Sequence, residues 1–300
     1  MQAKSYLELL ILGALWGASF LFMRTASPEF GAFSLILFRA SIAAVFLLVL
    51  MAFIRRQEMQ QIRTHWRHLV VLGLTNTAMP FTLFAWATLS LEAGLTATLN
   101  STAPMFGALV AWLWLKDKIA PATIFGLVVG FTGVFILMSE KISDDAMLLL
   151  PIMGALFAST CYGFAACYSK LYAAGMKPLA VATGSQVYAA LLLIVPGVIT
   201  WPEAMPSVSA WRDVICLGIA CTGVAYILYF RILSREGVSK ALSVTYLVPL
   251  FAFIWGWWFL DEQVTQSILL GAATILLGVA LTTGVFKLPS KFWFAKPETK

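Results

Sequence analysis

Three long apolar stretches of this sequence carry a polar residue four positions before a proline. The pairs are Asn76 and Pro80, Asn100 and Pro104, and Thr245 and Pro249. A proline inside a helix frees the carbonyl four residues earlier, and in a bilayer that carbonyl needs a partner from the protein or from enclosed water. The pattern predicts that the three prolines are hinges and that polar side chains line a wet cavity halfway through a membrane.

A simpler interpretation stays open at each of these sites. Prolines are common kinks in transmembrane helices, and hydroxyl side chains such as Thr102 often bond back to their own helix. For Asn76 and Asn100 the cavity is favoured, because an amide has four hydrogen-bonding positions that its own helix seldom fills. We predict that Asn76, Asn100, Thr102 and Thr245 contact a substrate in this cavity.

Aromatic and amide side chains near other span centres extend the candidate site. Trp16 and Tyr162 occupy corresponding central positions of two similar halves of the chain, and Gln186 and Tyr226 lie in later apolar runs. Aromatic residues at helical spacing more often pack in the core or at the membrane interface than contact a ligand. Trp16 and Tyr162 differ from such residues in their central position and in carrying polar groups.

Few charged residues fall inside the apolar runs. Arg39 lies about two turns from one end of its run, so it can either extend to the membrane surface or face the bundle and attract an anion. Glu8 is one turn from an end, which favours a role at the rim. No Asp, Glu, Lys or His lies at a span centre, so proton coupling and facilitated diffusion both stay open.

Catalytic and cofactor motifs are missing from the sequence. HExxH, GxSxG and the phosphate-binding GxxxxGK[ST] do not occur, and His65 and His68 lie in a basic loop. The four cysteines fall inside apolar runs, where a small apolar side chain is the usual interpretation. We therefore predict a protein that is not an enzyme and has no cofactor and no metal site.

Composition identifies an integral membrane protein. Of 300 residues, 61% are hydrophobic and 11% are charged, against about 25% charged in soluble domains. Residues 5–23 lack a signal-peptide cleavage site near Phe22 and are followed by similar runs, so they form the first span. Ten transmembrane helices are predicted: 5–23, 33–54, 67–89, 94–115, 121–138, 147–170, 178–200, 211–233, 239–260 and 266–286.

Basic residues predict the orientation of these spans. Sixteen of the twenty Lys and Arg residues fall on one side of the membrane and three on the other, with Arg39 inside a span. Because basic loops are retained on the cytoplasmic side, both termini are predicted to be cytoplasmic. The net charge of +6 is explained by this retention and indicates no nucleic-acid partner.

An internal repeat divides the chain. Shifted by 145 residues, PMFGALVAWLWLKDKI matches PLFAFIWGWWFLDEQV, which places Asp117 on Glu262 and Pro104 on Pro249. The predicted halves are 1–145 and 146–290, each with five helices, followed by a cytoplasmic tail, 291–300. An odd number of helices makes the second half enter the bilayer from the opposite face, which gives the inverted repeats common in transporters.

These motifs resemble the drug/metabolite transporter superfamily in its EamA-domain branch, over nearly the whole chain. The likeness rests on the two repeat segments above, on ALWGASF and LILFRASIA, and on AYILYFRILSREGVSKALSVTYLVP. Within the branch, the sequence is most similar to bacterial aromatic amino-acid exporters of the YddG type. A glycine and acidic pair common in the branch is replaced here by Lys116-Asp117 and Asp261-Glu262.

The resemblance implies a basket-like all-α fold with a central cavity lined by both halves. The residues consistent with that lining are Trp16, Asn76, Pro80, Asn100, Tyr162 and Tyr246. It also implies export of small metabolites, amino acids among them. The expected partners are a small-molecule substrate and membrane lipid, and no oligomer is required.

The combined prediction is a bacterial inner-membrane exporter of aromatic or large neutral amino acids that works by alternating access. Aromatic rings of the substrate would stack on Trp16 or Tyr162, and the amides would bind its amino and carboxyl groups. One alternative is export of drugs or other metabolites. Another is a membrane enzyme or a subunit that transports nothing, against which stand the missing catalytic motifs and the small extramembrane surface.

Overall fold

The computed structural model describes residues 3–285, apart from the side chains of residues 3, 140–144 and 238–239. The predicted tail, 291–300, and the last residues of the predicted second half and tenth span lie outside the described residues. Within the described part, the chain is almost entirely helical and has no strand. The predicted all-α membrane fold is confirmed.

Residues 3–285 form ten helical spans. They are α1 (Ala3–Phe30), α2 (Ala32–Ile54), α3 (Trp66–Ala87), α4 in two segments (Ala93–Asn100 and Ala103–Val110), α5 (Pro121–Asp144), α6 (Leu149–Tyr172), α7 (Pro178–Ile199), α8 (Val208–Glu236), α9 (Val244–Leu260) and α10 (Gln266–Thr282). Eight of them are long and apolar enough to cross a membrane. Of the other two, α10 has 17 residues, and α4 is interrupted before Pro104 and continues after Val110 as a π-helical turn, Ala111–Leu115.

The helices differ from the predicted spans at two informative places. Helix α1 continues to Phe30, beyond the predicted end at Met23, because the charge of Arg24 is paired with Glu262 and does not end the helix. The ninth span is broken by a turn at Ser243, which separates the short helix Val238–Leu242 from α9, so Thr245 lies in the first turn of α9 and that helix continues unbroken through Pro249. Of the three predicted hinge prolines, Pro104 follows a complete break and Pro80 follows a widened turn.

The helix contacts form matching pairs. Helix α1 packs on α9, and its equivalent α6 packs on α4. Helix α8 packs on α1 and on α2, and its equivalent α3 packs on α6 and on α7. The remaining large contacts, α5 with α10, α2 with α7 and α4 with α9, each join equivalent helices. Exchanging every helix for the one five places along reproduces this set. The packing thus supports the proposal of two related halves, 1–145 and 146–290.

Glycines allow two of these crossings to be close. A Cβ atom on Gly17 would lie 2.9 Å from the backbone nitrogen of Ala252, and one on Gly163 would lie 2.6 Å from that of Gly107. Gly17 and Gly163 each follow a central aromatic residue, Trp16 or Tyr162, by one position. Close backbone approach thus fixes α1 against α9 and α6 against α4 beside those rings.

The outside of the bundle is apolar. Phe135, Val195 and Trp258 are each about two-thirds exposed, which suits side chains that face lipid tails. Buried residues from both halves, including Leu12, Leu99 and Ile275, form one continuous core. In hydrocarbon such a bundle is held by close packing and internal polar contacts, because lipid tails are as apolar as leucine.

Two equivalent turns adopt a left-handed backbone without glycine. Lys116 has a φ of 59° and Asp261 a φ of 53°, and both end a long apolar helical segment. These are the positions at which the resemblance to the EamA-domain branch implies glycine. A side chain there costs about 1–2 kcal/mol, because its Cβ crowds the following carbonyl.

We expect Asp261→Gly to stabilise the protein by about 0.5–1 kcal/mol, the relief of strain less the greater freedom of glycine in the unfolded chain. The measurement is thermal unfolding of the purified protein in detergent. Asp261→Ala is the matched control, since it retains the Cβ atom and should give no gain. A lower melting temperature for the glycine variant than for the alanine variant would contradict the prediction that the backbone of Asp261 is strained.

Candidate functional site

Widened turns occur at equivalent positions in α3 and α8. Residues Leu74–Ala78 and Ile219–Val224 each form a π-helical turn within an α-helix, and the two turns begin 145 residues apart. In α3 the turn directly precedes the Pro80 region, whereas no proline follows the turn in α8. Such turns are rare and are frequent at functional sites. They lie near the middle of their helices and carry Thr77 and Thr222.

Arg39 lies buried among these turns. Its side chain extends from α2, and the residue is 3% exposed. The Nε atom donates to Oγ1 of Thr222 at 3.2 Å, Nη1 lies 3.5 Å from Sδ of Met23, and the guanidinium lies 3.8 Å from the centre of the Phe81 ring. No carboxylate among the described residues forms an ion pair with it. Arg39 therefore faces the bundle, and the alternative of a side chain reaching the surface does not hold in this structure.

Two amides lie near the same level. The amide nitrogen of Gln186 in α7 donates to Oγ1 of Thr77 at 3.2 Å, and both residues are fully buried. The side chains of Asn76, Gln186 and Arg39 lie near the phenol of Tyr226. Arg39, Asn76, Thr77, Gln186 and Tyr226, with Thr222, form what we call the central polar cluster.

Aromatic rings border the central polar cluster. Tyr162 packs on Phe84 and Phe81, with ring centres 6.0 and 6.4 Å away. Trp16 packs on Tyr229, with centres 5.6 Å apart. Because Phe81 also covers the guanidinium of Arg39, the aromatic and polar parts of this region are continuous.

The structure places the other predicted residues elsewhere. Thr102 Oγ1 donates to the carbonyl of Leu99, at the break in α4, as the simpler interpretation expects. Asn100 ends the first segment of α4 and is half-buried. Thr245 bonds back to Leu242, and Tyr246 bonds to Thr283 at the same end of the bundle. The structure therefore does not bring Thr245 and Tyr246 to the central polar cluster.

Glu8 has ion-pair partners. Its carboxylate lies 3.1 Å from Arg231 and 3.3 Å from Arg235, and it joins α1 to α8. Gly154 and Trp86 occupy the equivalent positions of α6 and α3, where the indole packs on the glycine. The ion pairs of Glu8 with Arg231 and Arg235 are a structural contact between α1 of the first half and α8 of the second half.

Two further ion pairs, which sequence reasoning missed, join the halves. Arg24 contacts Glu262 at 2.8 Å, and Lys170 contacts Asp117 at 3.1 Å. A repeat shift of 145 or 146 residues exchanges the two pairs. The alignment of Asp117 with Glu262 and of Arg24 with Lys170 was the signal that could have found them.

The two pairs differ in burial. Glu262 is 8% exposed and Asp117 is 52% exposed. Glu262 also accepts the backbone N–H of Ala93, and Arg24 donates to the carbonyls of Thr88 and Leu91. Burial raises the pKa of the Glu262 carboxyl, and the Ala93 N–H and the Arg24 guanidinium oppose that shift. The structure is therefore tightly closed at the Arg24 end and more loosely joined at the Lys170 end.

Helices from both halves that surround buried polar groups define a multi-pass membrane protein of the transporter class. The chain belongs to the EamA-like transporter family, whose profile matches residues 3–139 and again residues 149–284.

Related proteins and one solved structure agree with this assignment. The uncharacterised transporter YoaV of Bacillus subtilis is 26% identical, over 95% of this chain and 98% of its own. A Streptantibioticus cattleyicolor protein named "Probable terminal-alkyne amino-acid exporter" is 24% identical over 93% of each chain. A crystal structure with 17% identity matches 95% of this chain and 98% of its own with a TM-score of 0.66, which supports the fold.

Arg39 and Arg24 give opposite expectations for stability. Arg39→Met should raise the free energy of unfolding by about 1 kcal/mol or more, because it removes a buried charge that has no carboxylate partner among the described residues. Arg24→Met should lower it by about 1–3 kcal/mol, because the nearly buried Glu262 loses its partner. Thermal unfolding in detergent measures both, and a loss of stability in Arg39→Met as large as that in Arg24→Met would show that Arg39 is compensated.

Proposed function

We propose that this protein exports aromatic or large neutral amino acids across the bacterial inner membrane by alternating access. The observation that carries the proposal is the buried guanidinium of Arg39, which is bordered by amides and aromatic rings and has no carboxylate partner in the described part of the chain. A positive charge in the membrane interior is costly and is retained for a function. A carboxylate on a substrate supplies the missing partner, and its side chain can pack on the rings.

The composition of the central region supports amino acids over apolar drugs. An apolar substrate needs no charge partner, and burying Arg39 beside it would leave the guanidinium uncompensated. Trp16, Tyr162 and Phe81 offer ring faces to an aromatic side chain. The relative named as an amino-acid exporter agrees with this class of substrate.

Alternating access is supported by the two ion pairs that the repeat exchanges. By the distribution of basic residues, the Arg24–Glu262 pair lies on the outer side and the Lys170–Asp117 pair on the cytoplasmic side. In this conformation the outer pair is buried in a network and the cytoplasmic pair is exposed. An opposite conformation of the same fold would tighten the cytoplasmic pair and release the outer one.

Counterflow in proteoliposomes tests the proposed substrate class. Vesicles that contain only this protein and are preloaded with unlabelled tryptophan should accumulate labelled tryptophan and phenylalanine well above protein-free vesicles. Asn76→Ala should reduce the rate, because the cluster loses one of its amides, with little loss of folded protein. Accumulation of a cationic drug but of no amino acid would replace the proposal with drug export.

Labelling of a cysteine tests alternating access. In a cysteine-free background that carries Asn76→Cys, Glu262→Gln should increase labelling by an outside, membrane-impermeant maleimide about fivefold, as expected for the loss of about 1 kcal/mol of outer closure. Asp117→Asn, at the exposed pair, is the matched control and should not increase it. Equal labelling of both variants would show that the burial of the Glu262 pair does not control opening on the outer side.

A further inference from the structure

The central polar cluster contains unsatisfied groups of two opposite kinds. Arg39 offers five N–H donors, and its described partners are one hydroxyl, one thioether and one ring face. Gln186 offers a carbonyl acceptor, Oε1, that is buried and has no hydrogen-bond partner among the described residues. Spare donors and a spare acceptor therefore lie in one small region of the membrane interior.

The donor side fits a carboxylate. The hydroxyl of Thr222 donates its proton to the carbonyl of Leu217 at 2.8 Å, so its oxygen is oriented to accept from Nε of Arg39. This contact occupies Nε, and the weakly accepting thioether of Met23 contacts Nη1, which leaves the other N–H groups of the terminal nitrogens for a ligand. Two parallel N–H groups match the two oxygens of a carboxylate, which gives a strong, directional pair.

The acceptor side fits an ammonium group. The amide nitrogen of Gln186 is directed at Oγ1 of Thr77, and this contact fixes which end of the amide stays open. A buried carbonyl without a donor is costly, and an ammonium group carries three donors. Aromatic faces such as Tyr226 add attraction for a cation.

Arg39 and Gln186 both contact the same face of α3. Gln186 donates to Thr77, and the ring of Phe81, four residues further along α3, covers the guanidinium of Arg39 at 3.8 Å. A ligand that lies beside this face can therefore reach both groups with charges carried on neighbouring atoms. An α-amino acid has that arrangement, because its carboxylate and its ammonium are bonded to the same carbon.

We propose that Arg39 binds the carboxylate and Gln186 Oε1 binds the ammonium group of one zwitterionic amino acid. This assignment rests on the proposed amino-acid transport and specifies its recognition. It also predicts exclusion: an amine without a carboxylate is repelled by Arg39, and a carboxylic acid without an amine leaves Gln186 unsatisfied. The recognised class is α-amino acids with uncharged side chains.

The test uses three probes and the full-length protein in detergent. Binding of L-tryptophan, L-tryptophan amide and indole-3-propionate is measured by calorimetry. The wild type should bind tryptophan on the order of 10- to 100-fold more tightly than either analogue, as expected for the loss of one hydrogen bond to a charged group. Equal affinity for tryptophan and its amide overturns the role of Arg39, and equal affinity for tryptophan and indole-3-propionate overturns that of Gln186.

Two variants assign the groups to their residues. Arg39→Gln should weaken tryptophan binding on the order of 10- to 100-fold and leave the amide unchanged, and Gln186→Met should weaken tryptophan but leave indole-3-propionate unchanged. Arg63→Gln, on the exposed helix Met59–Thr64, is the control and should bind like the wild type. A variant that binds all three probes more weakly by the same factor overturns the assignment. If a variant does not fold, the affinities of the wild type for the three probes decide.

The proposal and the broader function fail differently. A wild-type protein that neither binds nor exchanges any amino acid refutes amino-acid transport itself. A wild type that exchanges tryptophan, while Arg39→Gln and Gln186→Met exchange it at the wild-type rate, preserves the function and overturns only this assignment.

Discussion

The guanidinium of Arg39 is the constraint on which the centre of this bundle depends. Arginine keeps its proton even when buried, so it cannot lose its charge to suit a low dielectric. The described surroundings offer neutral partners: the hydroxyl of Thr222, the thioether of Met23 and the face of Phe81. The π turns of α3 and α8 carry Thr77, Thr222 and Asn76, and they place these polar side chains at the level of Arg39. The widened turns and the central polar side chains therefore occur at the same positions of α3 and α8.

A duplicated framework holds unlike polar groups at its centre. The π turns of α3 and α8, the glycine crossings at Gly17 and Gly163 and the two ion pairs each recur at a spacing of 145 or 146 residues, whereas the π turn Ala111–Leu115 of α4 has no counterpart in α9. At the level of the π turns, however, α2 contributes the cation Arg39 and α7 contributes the neutral amide of Gln186. Each pairs with the equivalent threonine, Thr222 or Thr77. The helix packing is repeated but the central side chains are not, so the central polar cluster has two chemically distinct ends.

The sequence predicted the helices and part of the site for a clear reason. Apolar length and prolines are local signals, and they correctly located the spans and the widened or broken turns before Pro80 and Pro104. The widened turn in α8 is not followed by a proline, so the local sequence contained no signal that predicts it. Thr245 was predicted to line the cavity because it lies four residues before Pro249, but it stands in the first turn of α9, just after a break in the helix at Ser243. The partner of Arg39 and the pairing of Arg24 depend on contacts between distant helices, which spacing alone does not specify.

The charge of the central region bears on how the protein can change conformation. Among the described residues, the central polar cluster contains one permanent charge and no carboxylate, so closing it when empty buries a bare guanidinium. A bound zwitterion brings no net charge, yet it places a carboxylate against that guanidinium and an ammonium group against neutral acceptors. The occupied site is therefore less costly to enclose than the empty one, by the differential interaction that any ligand-driven change requires. On this argument the substrate itself promotes closure, without an ion to be bound at a titrating group inside the described cluster.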